Sequence, residues 1–167
     1  LTYQYRQSMG LRVVVENGRQ VIETLQQRGY TLGIISNLIT TREIPEWMEK
    51  EGFSSYFKSV ALSSVLGIRK PDPEIYHIAA REAEVDPTRC VYVGDNLKRD
   101  VTGTRAAGFG MTIIMISPED LSESVITEEN RPDAVIHSFT ELLDIFPQRP
   151  RVNMDYIHQP PLLGSLV

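Results

Sequence analysis

Stretches of helical periodicity alternate with short apolar runs along this sequence, and that alternation limits the folds open to it. In the helical stretches apolar residues recur at helical spacing, as Val21, Ile22 and Leu25 do before Gly29. The predicted helices are 16–28, 41–51, 73–83, 98–107 and 139–146, and the predicted strands are 30–35, 59–62, 90–93, 111–116 and 134–136. Strands that alternate with helices are typical of βαβ units, in which helices cover both faces of a parallel sheet. We therefore predict an α/β fold with a Rossmann-like, three-layer parallel sheet.

The size and charge of the chain limit the classes of function. At 167 residues it is long enough for one domain with a core of its own. The net charge is −5 and no block of Lys or Arg occurs, which argues against a nucleic-acid partner. No apolar run reaches the roughly 18 residues of a membrane span, so we expect no membrane partner. The one cysteine, Cys90, permits no disulfide within the chain, and we expect a reducing, cytoplasmic compartment.

Chemically active side chains follow the predicted strands, where a parallel sheet binds its ligands. Ser36 and Asn37 follow the first strand, and Lys70 lies in the loop beyond the second. Asp95 follows the third strand, and Asp100 falls on the first turn of the next helix. Carboxylate oxygens suit Mg²⁺, whereas a hydroxyl and a lysine ammonium suit phosphoryl oxygens. The set favours phosphoryl transfer beside a magnesium ion, and what it lacks is a nucleophile.

Each of these residues also has a purely structural interpretation when it is taken alone. A Ser-Asn pair after a strand is often a turn or a helix N-cap. Lys70 can be a solvated loop lysine, since the sequence Pro-Asp-Pro that follows it suits a turn and a proline at the first helical position. Asp100 can be a first-turn acid that the helix dipole favours. Taken singly, none of the residues decides between structure and function.

The order and spacing of these residues resemble those of a known family. Three segments carry the resemblance, and in chain order they read GIISN, IRKPDPEIY and VYVGDNLKRDVTGTRAAGF. They look like the last three sequence motifs of the haloacid dehalogenase (HAD) superfamily, in the phosphatase and dehalogenase branch whose cap lies between the first and second motifs. The resemblance implies that Ser36 is the phosphate-binding hydroxyl, with Asn37 beside it, and that Lys70 steadies the nucleophile and the transferring group. It also implies that Asp95 binds Mg²⁺ and that Asp100 is its partner, either as a ligand or as a supporting acid.

The resemblance runs from about Asn17 to Phe146, and the family's first motif is not part of it. That motif, Asp-x-Asp at the end of the first strand, supplies the nucleophile, and no Asp-x-Asp occurs in these 167 residues. We expect residues 1–10 to be a remnant of a cap or linker and residues 11–146 to be an incomplete HAD-like core. Residues 147–167 are expected to form a Pro-rich C-terminal tail.

The resemblance implies a Mg²⁺-dependent phosphatase that acts on a small phosphorylated metabolite. In such an enzyme an upstream aspartate attacks phosphorus, forms an aspartyl phosphate and loses it to water. This chain carries the second to fourth motifs, so we expect it to be inactive alone. Two alternatives stay open. A haloacid dehalogenase uses the same nucleophile on carbon and needs no metal, and a non-catalytic HAD-like scaffold serves assembly.

The absent first strand leads to a testable prediction about the sheet. In the family that strand lies centrally, between the strands predicted here at 30–35 and 90–93. Without it two strand edges are unpaired, at a cost of about 1–3 kcal/mol for each buried backbone group, against a total stability of about 5–15 kcal/mol. We therefore expect an upstream segment or a partner chain to complete the sheet, with Leu11 to Val15 as a less favoured substitute. A structure of these residues alone, in which the sheet is closed without any added strand, would contradict this expectation.

Overall fold

A computed structural model describes residues 16–148, in which β-strands alternate with helices. The strands are β1 (Leu32–Ser36), β2 (Phe57–Leu62), β3 (Val91–Gly94), β4 (Met111–Met115) and β5 (Ala134–Ile136). The α-helices are α1 (Gly18–Gln27), α2 (Glu43–Glu51), α3 (Ser63–Leu66), α4 (Pro73–Glu82), α5 (Leu97–Ala106), α6 (Pro118–Glu123) and α7 (Leu142–Ile145). Turns of 3-10 helix occupy Pro87–Arg89 and Phe139–Glu141. The α/β architecture predicted from the alternating pattern is confirmed.

The starts of the two helices nearest the predicted site depend on single capping residues. α4 begins at Pro73, and the Asp72 carboxylate accepts a 3.0 Å hydrogen bond from a backbone N–H of the first turn. α5 begins after Asn96, whose side-chain oxygen accepts a 2.8 Å bond from the Arg99 backbone N–H. These caps satisfy backbone donors that a helix leaves without partners at its start. The caps therefore fix the residue at which each helix begins.

The strands form two sheets rather than one continuous sheet. β1 pairs with β2, and the register ends with Ser36 opposite Leu62. β4 lies between β3 and β5, and all the strand pairs are parallel. Within residues 16–148, β1 and β3 therefore have one strand neighbour each. This is the arrangement expected when a strand that belongs between β1 and β3 is not among the described residues.

Several of the sequence predictions concern residues outside the described range. They are the cap or linker remnant at 1–10, the substitute strand at Leu11 to Val15 and the Pro-rich tail beyond residue 148. These remain predictions.

The burial of the strands also indicates a gap between the two sheets. In β4, the residues from Thr112 to Ile114 are buried. In β1, Gly33 is exposed and the other residues are half-buried, and in β3 Val91 is exposed. Strands inside a parallel sheet that is covered on both faces are normally buried throughout. Within the described part of the chain, β1 and β3 are therefore edge strands.

Two apolar clusters nevertheless join the sheets, one on each face. Ile35 of β1 packs against a cluster shared by β2, β3 and α4, while Leu32 of β1 and Val93 of β3 pack against a cluster shared by α1, β4, β5 and α7. Successive residues of a strand alternate between faces, so Leu32 and Ile35 point to opposite sides of β1. The buried members are Ala61, Ile75, Tyr76, Ala79, Tyr92 and Ala107 in the first cluster, and Val21, Leu25, Ile113, Ile136 and Leu142 in the second.

The hydrophobic pattern does not predict the short helices α3 and α6, and it describes the last helix incompletely. α6 begins at Pro118, and the Ser117 hydroxyl accepts a 3.0 Å bond from a backbone N–H of its first turn. The predicted helix 139–146 is a 3-10 turn followed by α7, started by a capping box of Ser138 and Glu141. Such short elements depend on caps more than on periodicity. None of the helices in the described stretch combines the length and apolar character needed to cross a membrane.

Gly103 of α5 lies where α4 and α5 pack closely. A Cβ at this position would lie 2.6 Å from Cε2 of the buried Tyr76 ring and 2.9 Å from the Pro71 carbonyl oxygen. Helix propensity alone favours Ala over Gly by about 1 kcal/mol. We expect Gly103→Ala instead to lower the free energy of unfolding by about 1–3 kcal/mol, because the buried ring cannot move aside.

Urea unfolding curves measure this change, and Lys98→Ala, at an exposed position of the same helix, is the control. The control should stay within about 0.5 kcal/mol of the parent protein. A Gly103→Ala protein that is more stable than the parent would show that the two helices are not in close contact here.

Candidate active site

The five residues singled out in the sequence lie at the carboxyl ends of the strands. Ser36 is the last residue of β1 and Asn37 follows it, while Asp95 follows the last residue of β3. Lys70 precedes α4, and Asp100 lies in the first turn of α5. Contacts run from Asn37 to Lys70, from Lys70 to Asp100, and from Asp100 to the backbone of Asp95. The structure thus joins four of the five residues in one connected set, and Ser36 is next to that set in the chain.

The Asn37 side chain is engaged with the backbone of Lys70. Its Nδ2 donates to the Lys70 carbonyl oxygen at 3.0 Å, and its Oδ1 accepts from the Lys70 N–H at 2.8 Å. Both polar ends of the amide are therefore used. This geometry favours a role for Asn37 in positioning the lysine loop against the end of β1 over direct contact with a ligand.

The Lys70 ammonium is buried and has two side-chain partners. Nζ lies 3.1 Å from Asp100 Oδ1, and it donates a hydrogen bond to the Tyr92 hydroxyl. Lys70 is 6% exposed and Asp100 is 0% exposed. Burial lowers the pKa of Lys70 from its usual value, and the Asp100 carboxylate opposes that shift. Lys70 is therefore a cation held inside the protein at the end of the sheet, and the interpretation as a solvated loop lysine is wrong.

Asp100 is the acceptor at the centre of the site. Its Oδ2 accepts the backbone N–H groups of Asp95 and Asn96 at 3.2 and 3.1 Å. Arg99 donates from Nε to Oδ1 at 2.9 Å and from Nη2 to Oδ2 at 3.0 Å. Burial alone would raise the pKa of Asp100, but the hydrogen bonds from Arg99 and the charge of Lys70 hold that pKa below its usual range. Because both oxygens are engaged, the geometry favours a supporting role for Asp100 over direct metal binding.

Gly94, the last residue of β3, makes room for the Asp100 carboxylate. A Cβ at position 94 would collide with Asp100 Oδ2 and with the ring of Tyr92. Only glycine lets the buried carboxylate pack directly against the backbone at the end of the strand. The glycine before Asp95 is therefore explained by packing as well as by turn formation.

Asp95 presents an open carboxylate at the rim of the site. Its side chain is 80% exposed, and its Oδ1 accepts a hydrogen bond from Arg99 Nη2 at 2.9 Å. Among residues 16–148, no three His, Cys, Asp or Glu side chains converge in a way that could hold a metal ion. Mg²⁺ commonly takes only one or two carboxylates and completes its shell with water and phosphate oxygens. Asp95 fits that pattern as one protein ligand, in a shell that the described residues do not complete.

The charges of the site are balanced. The carboxylates of Asp95 and Asp100 face the cations of Lys70 and Arg99. A divalent cation and a doubly charged phosphoryl group would together add no net charge to this set. Binding of both together would therefore leave the net charge of this set unchanged.

Ser36 has a half-buried side chain, and its hydroxyl has no hydrogen-bond partner in the part of the chain that is described. The loop that follows it is fastened to α3. Ser63 Oγ accepts from the Leu38 N–H at 2.9 Å and donates to the Leu38 carbonyl oxygen at 3.2 Å. Ser64 Oγ donates to the Thr40 carbonyl oxygen at 2.7 Å. The end of β1 is thus held in place while the Ser36 hydroxyl stays available.

Two residues of the site, Tyr92 and Arg99, are not among the candidates that the sequence motifs single out. A signal for each was nevertheless present. Tyr92 precedes Gly94 by two positions, and residues two apart in a strand point to the same face. Arg99 follows Asp95 by four positions, a spacing that suits an ion pair at the start of a helix.

The sequence is similar to proteins of a known family. A family model described as haloacid dehalogenase-like hydrolase matches residues 4–114. Haloacid dehalogenase-like hydrolase domain-containing protein 3 of Bos taurus is 32% identical over 112 residues, which are 67% of this chain and 43% of that protein. Glyceraldehyde 3-phosphate phosphatase of Methanopyrus kandleri is 32% identical over 128 residues, which are 75% of this chain and 54% of that protein. The chain therefore spans about half the length of the curated relatives that it matches.

The fold is also similar to a solved structure. The crystal structure of a HAD phosphatase from Thermococcus onnurineus superposes on this chain with a TM-score of 0.63 at 25% sequence identity. The match covers 77% of this chain and 56% of that chain. The parallel α/β arrangement described above is thus the fold of this family.

Replacing each acid with asparagine separates the buried charge from the exposed one. We expect Asp100→Asn to lower the free energy of unfolding by about 3–5 kcal/mol at neutral pH, because Lys70 and Arg99 lose their carboxylate partner. Asp95→Asn, at the exposed position, should change it by at most about 1 kcal/mol. Denaturant unfolding of the two variants and the parent protein measures both effects. If the two substitutions lower the free energy of unfolding equally, the buried Asp100 carboxylate does not stabilise the protein more than the exposed Asp95 carboxylate does.

The same variants carry a prediction about pH. Because the pKa of Asp100 is lowered in the folded protein, its contribution to stability is fully present above the usual carboxyl pKa of about 4. The contribution is lost as the pH falls below that value. The difference in stability between Asp100→Asn and the parent protein should therefore shrink on acidification, and a difference that grows would contradict the lowered pKa.

Proposed function

Because the chain belongs to the haloacid dehalogenase-like hydrolase family, we propose that it forms the phosphate-binding part of a Mg²⁺-dependent phosphatase. The proposed substrate class is a small phosphorylated metabolite. The observation that carries this proposal is the connected set from Asn37 through Lys70 and Asp100 to Asp95, at the ends of β1 and β3. A buried ammonium beside an open carboxylate suits a phosphoryl group and a divalent cation.

A relative supports phosphate as the group that is recognised. The Methanopyrus kandleri protein is named a phosphatase of glyceraldehyde 3-phosphate, and it matches three quarters of this chain. The charge balance of the site agrees with a phosphoryl group that binds together with a cation. A cytoplasmic setting belongs to the same proposal and rests on the single cysteine of the sequence.

Two groups of the chain would contact the phosphoryl group. The Ser36 hydroxyl would donate a hydrogen bond to one phosphoryl oxygen. The Lys70 ammonium would offset the negative charge that builds up on the phosphoryl oxygens during transfer. Asn37 and Asp100 would act through Lys70, Asn37 by holding its backbone and Asp100 by holding its ammonium.

Asp95 would be the residue of this chain that holds Mg²⁺. Its exposed carboxylate would exchange the bond to Arg99 for one to the ion. When bound, the ion would add to the neutralisation of charge on the phosphoryl oxygens. Asp100 would keep Asp95 in position, because it accepts hydrogen bonds from the backbone of Asp95 and from the guanidinium of Arg99.

A strand between β1 and β3 is part of the proposal. An upstream segment or a partner chain would supply it, and its end would carry the nucleophilic aspartate of the family's first motif. A carboxylate oxygen of that aspartate would bond to phosphorus while the ester P–O bond breaks and the leaving oxygen takes up a proton. Water would then attack phosphorus, release phosphate and restore the carboxylate. Residues 1–167 contain no Asp-x-Asp, so we expect them to be inactive by themselves.

One observation favours a second candidate function, a haloacid dehalogenase. Arg99 already pairs with the Asp95 carboxylate, so the site carries a balanced charge without a metal ion. A dehalogenase with the same fold would use the upstream aspartate against carbon and would release halide. The two candidates differ in their product and in their need for Mg²⁺.

Phosphate release tests the proposed function. In the natural protein at its full length, we expect hydrolysis of p-nitrophenyl phosphate to require Mg²⁺ and to stop when EDTA is added. Asp95→Asn should lower kcat/KM by about a hundredfold or more, because it removes a ligand of the ion. Asp144→Asn, at an exposed position of α7, is the control and should match the parent protein.

An Asp95→Asn protein as active as Asp144→Asn would count against the assignment of Asp95. Halide release from 2-chloropropionate in the presence of EDTA, without any phosphate release, would favour the dehalogenase.

A further inference from the structure

We propose that Tyr92 is a positioning residue for Lys70, and that its hydroxyl holds the ammonium where a phosphoryl group can meet it. Tyr92 lies on β3, three residues before Asp95. It falls within the segment VYVGDN that carries the resemblance, but the resemblance implies no role for it. The inference rests on the proposed function, since it concerns how the phosphate-binding lysine is kept in place.

The geometry places Tyr92 directly against the lysine. Lys70 Nζ donates a hydrogen bond to the Tyr92 hydroxyl, and both side chains are buried. A lysine has a flexible stem and a compact charge, so contacts around its ammonium decide where the charge lies. In the described residues, Tyr92 and Asp100 are the two side chains that bind this ammonium.

Asp100 alone would hold the ammonium poorly. Its two oxygens also accept bonds from the backbone of Asp95 and Asn96 and from the Arg99 guanidinium. A single contact to one shared oxygen fixes the distance of the ammonium from Asp100 but not its direction. The Tyr92 hydroxyl adds a second point of contact, and the pairing of Tyr92 with Thr112 of β4 ties that point to the sheet.

The neighbouring Tyr76 shows that the hydroxyl of Tyr92 is not explained by the packing of its ring. The two rings meet edge to face, with centroids 5.4 Å apart, and both side chains are buried. Within residues 16–148 the Tyr76 hydroxyl has no hydrogen-bond partner, whereas that of Tyr92 accepts from Lys70. Tyr76→Phe and Tyr92→Phe therefore remove the same atom from the same cluster, and only the second removes a bond to the lysine.

A double-mutant cycle tests the proposal, with inorganic phosphate as the probe. The dissociation constant for phosphate is measured by titration calorimetry in the natural protein at its full length, with Mg²⁺ present. Tyr92→Phe, Tyr76→Phe and Lys70→Met are compared with the parent, and both Tyr variants are repeated in the Lys70→Met background. We expect Tyr92→Phe to weaken phosphate binding about five- to tenfold when Lys70 is present, and less than about twofold when it is replaced. Tyr76→Phe should change binding less than about twofold in both backgrounds.

Each contrary outcome has a distinct meaning. If Tyr92→Phe and Tyr76→Phe behave alike while Lys70→Met weakens binding, the positioning role of Tyr92 is wrong and the proposed function stands. If Tyr92→Phe weakens binding equally in both backgrounds, Tyr92 does not act through Lys70 and the inference is wrong. If Lys70→Met leaves phosphate binding unchanged, the proposed function itself fails, and the inference fails with it.

Discussion

The rest of this site depends on the bonds that the buried carboxylate of Asp100 accepts. A charge taken out of water costs several kcal/mol unless its partners surround it, roughly what a small domain has in reserve. Asp100 meets this requirement with two backbone N–H groups, the Lys70 ammonium and the Arg99 guanidinium. The loop after β3, the lysine loop and the start of α5 therefore share one set of bonds, and none of them can move without breaking it. The edge of the sheet is arranged before any ligand arrives.

The candidate site lies at one end of the gap between the two sheets, and the same two strands, β1 and β3, border both. β1 and β3 have no hydrogen bonds to each other in the described residues, yet apolar clusters join them on both faces. At their carboxyl ends Asn37 and Lys70 extend the connection from the β1 side to Asp100 on the β3 side. A parallel strand placed in the gap would end beneath this connection, which is where ligands bind in sheets of this kind. The same geometry would bring its last residues next to Lys70 and Asp95.

The sequence pattern predicts the α/β class and the main elements because helical and strand periodicities come from burial on one or both faces, which is local in the chain. It also predicts that Ser36, Lys70 and Asp95 share one edge, since parallel strands align their ends. It does not predict the role of Asn37, because its bonds reach a loop far along the chain. Nor does it distinguish a ligand from a supporting acid at Asp100, because that depends on Arg99 and on the packing against Gly94. Such details depend on three-dimensional neighbours that one sequence does not specify.

A crystal structure with a bound phosphoryl analogue would test whether these residues form the phosphate-binding edge of a sheet that another strand completes. The natural protein at its full length would be crystallised with Mg²⁺ and orthovanadate, which imitates a phosphoryl group in transfer. We expect vanadate oxygens within hydrogen-bond distance of the Ser36 hydroxyl and the Lys70 ammonium, and a strand paired to both β1 and β3. Vanadate bound elsewhere, or β1 paired directly with β3, would contradict this expectation.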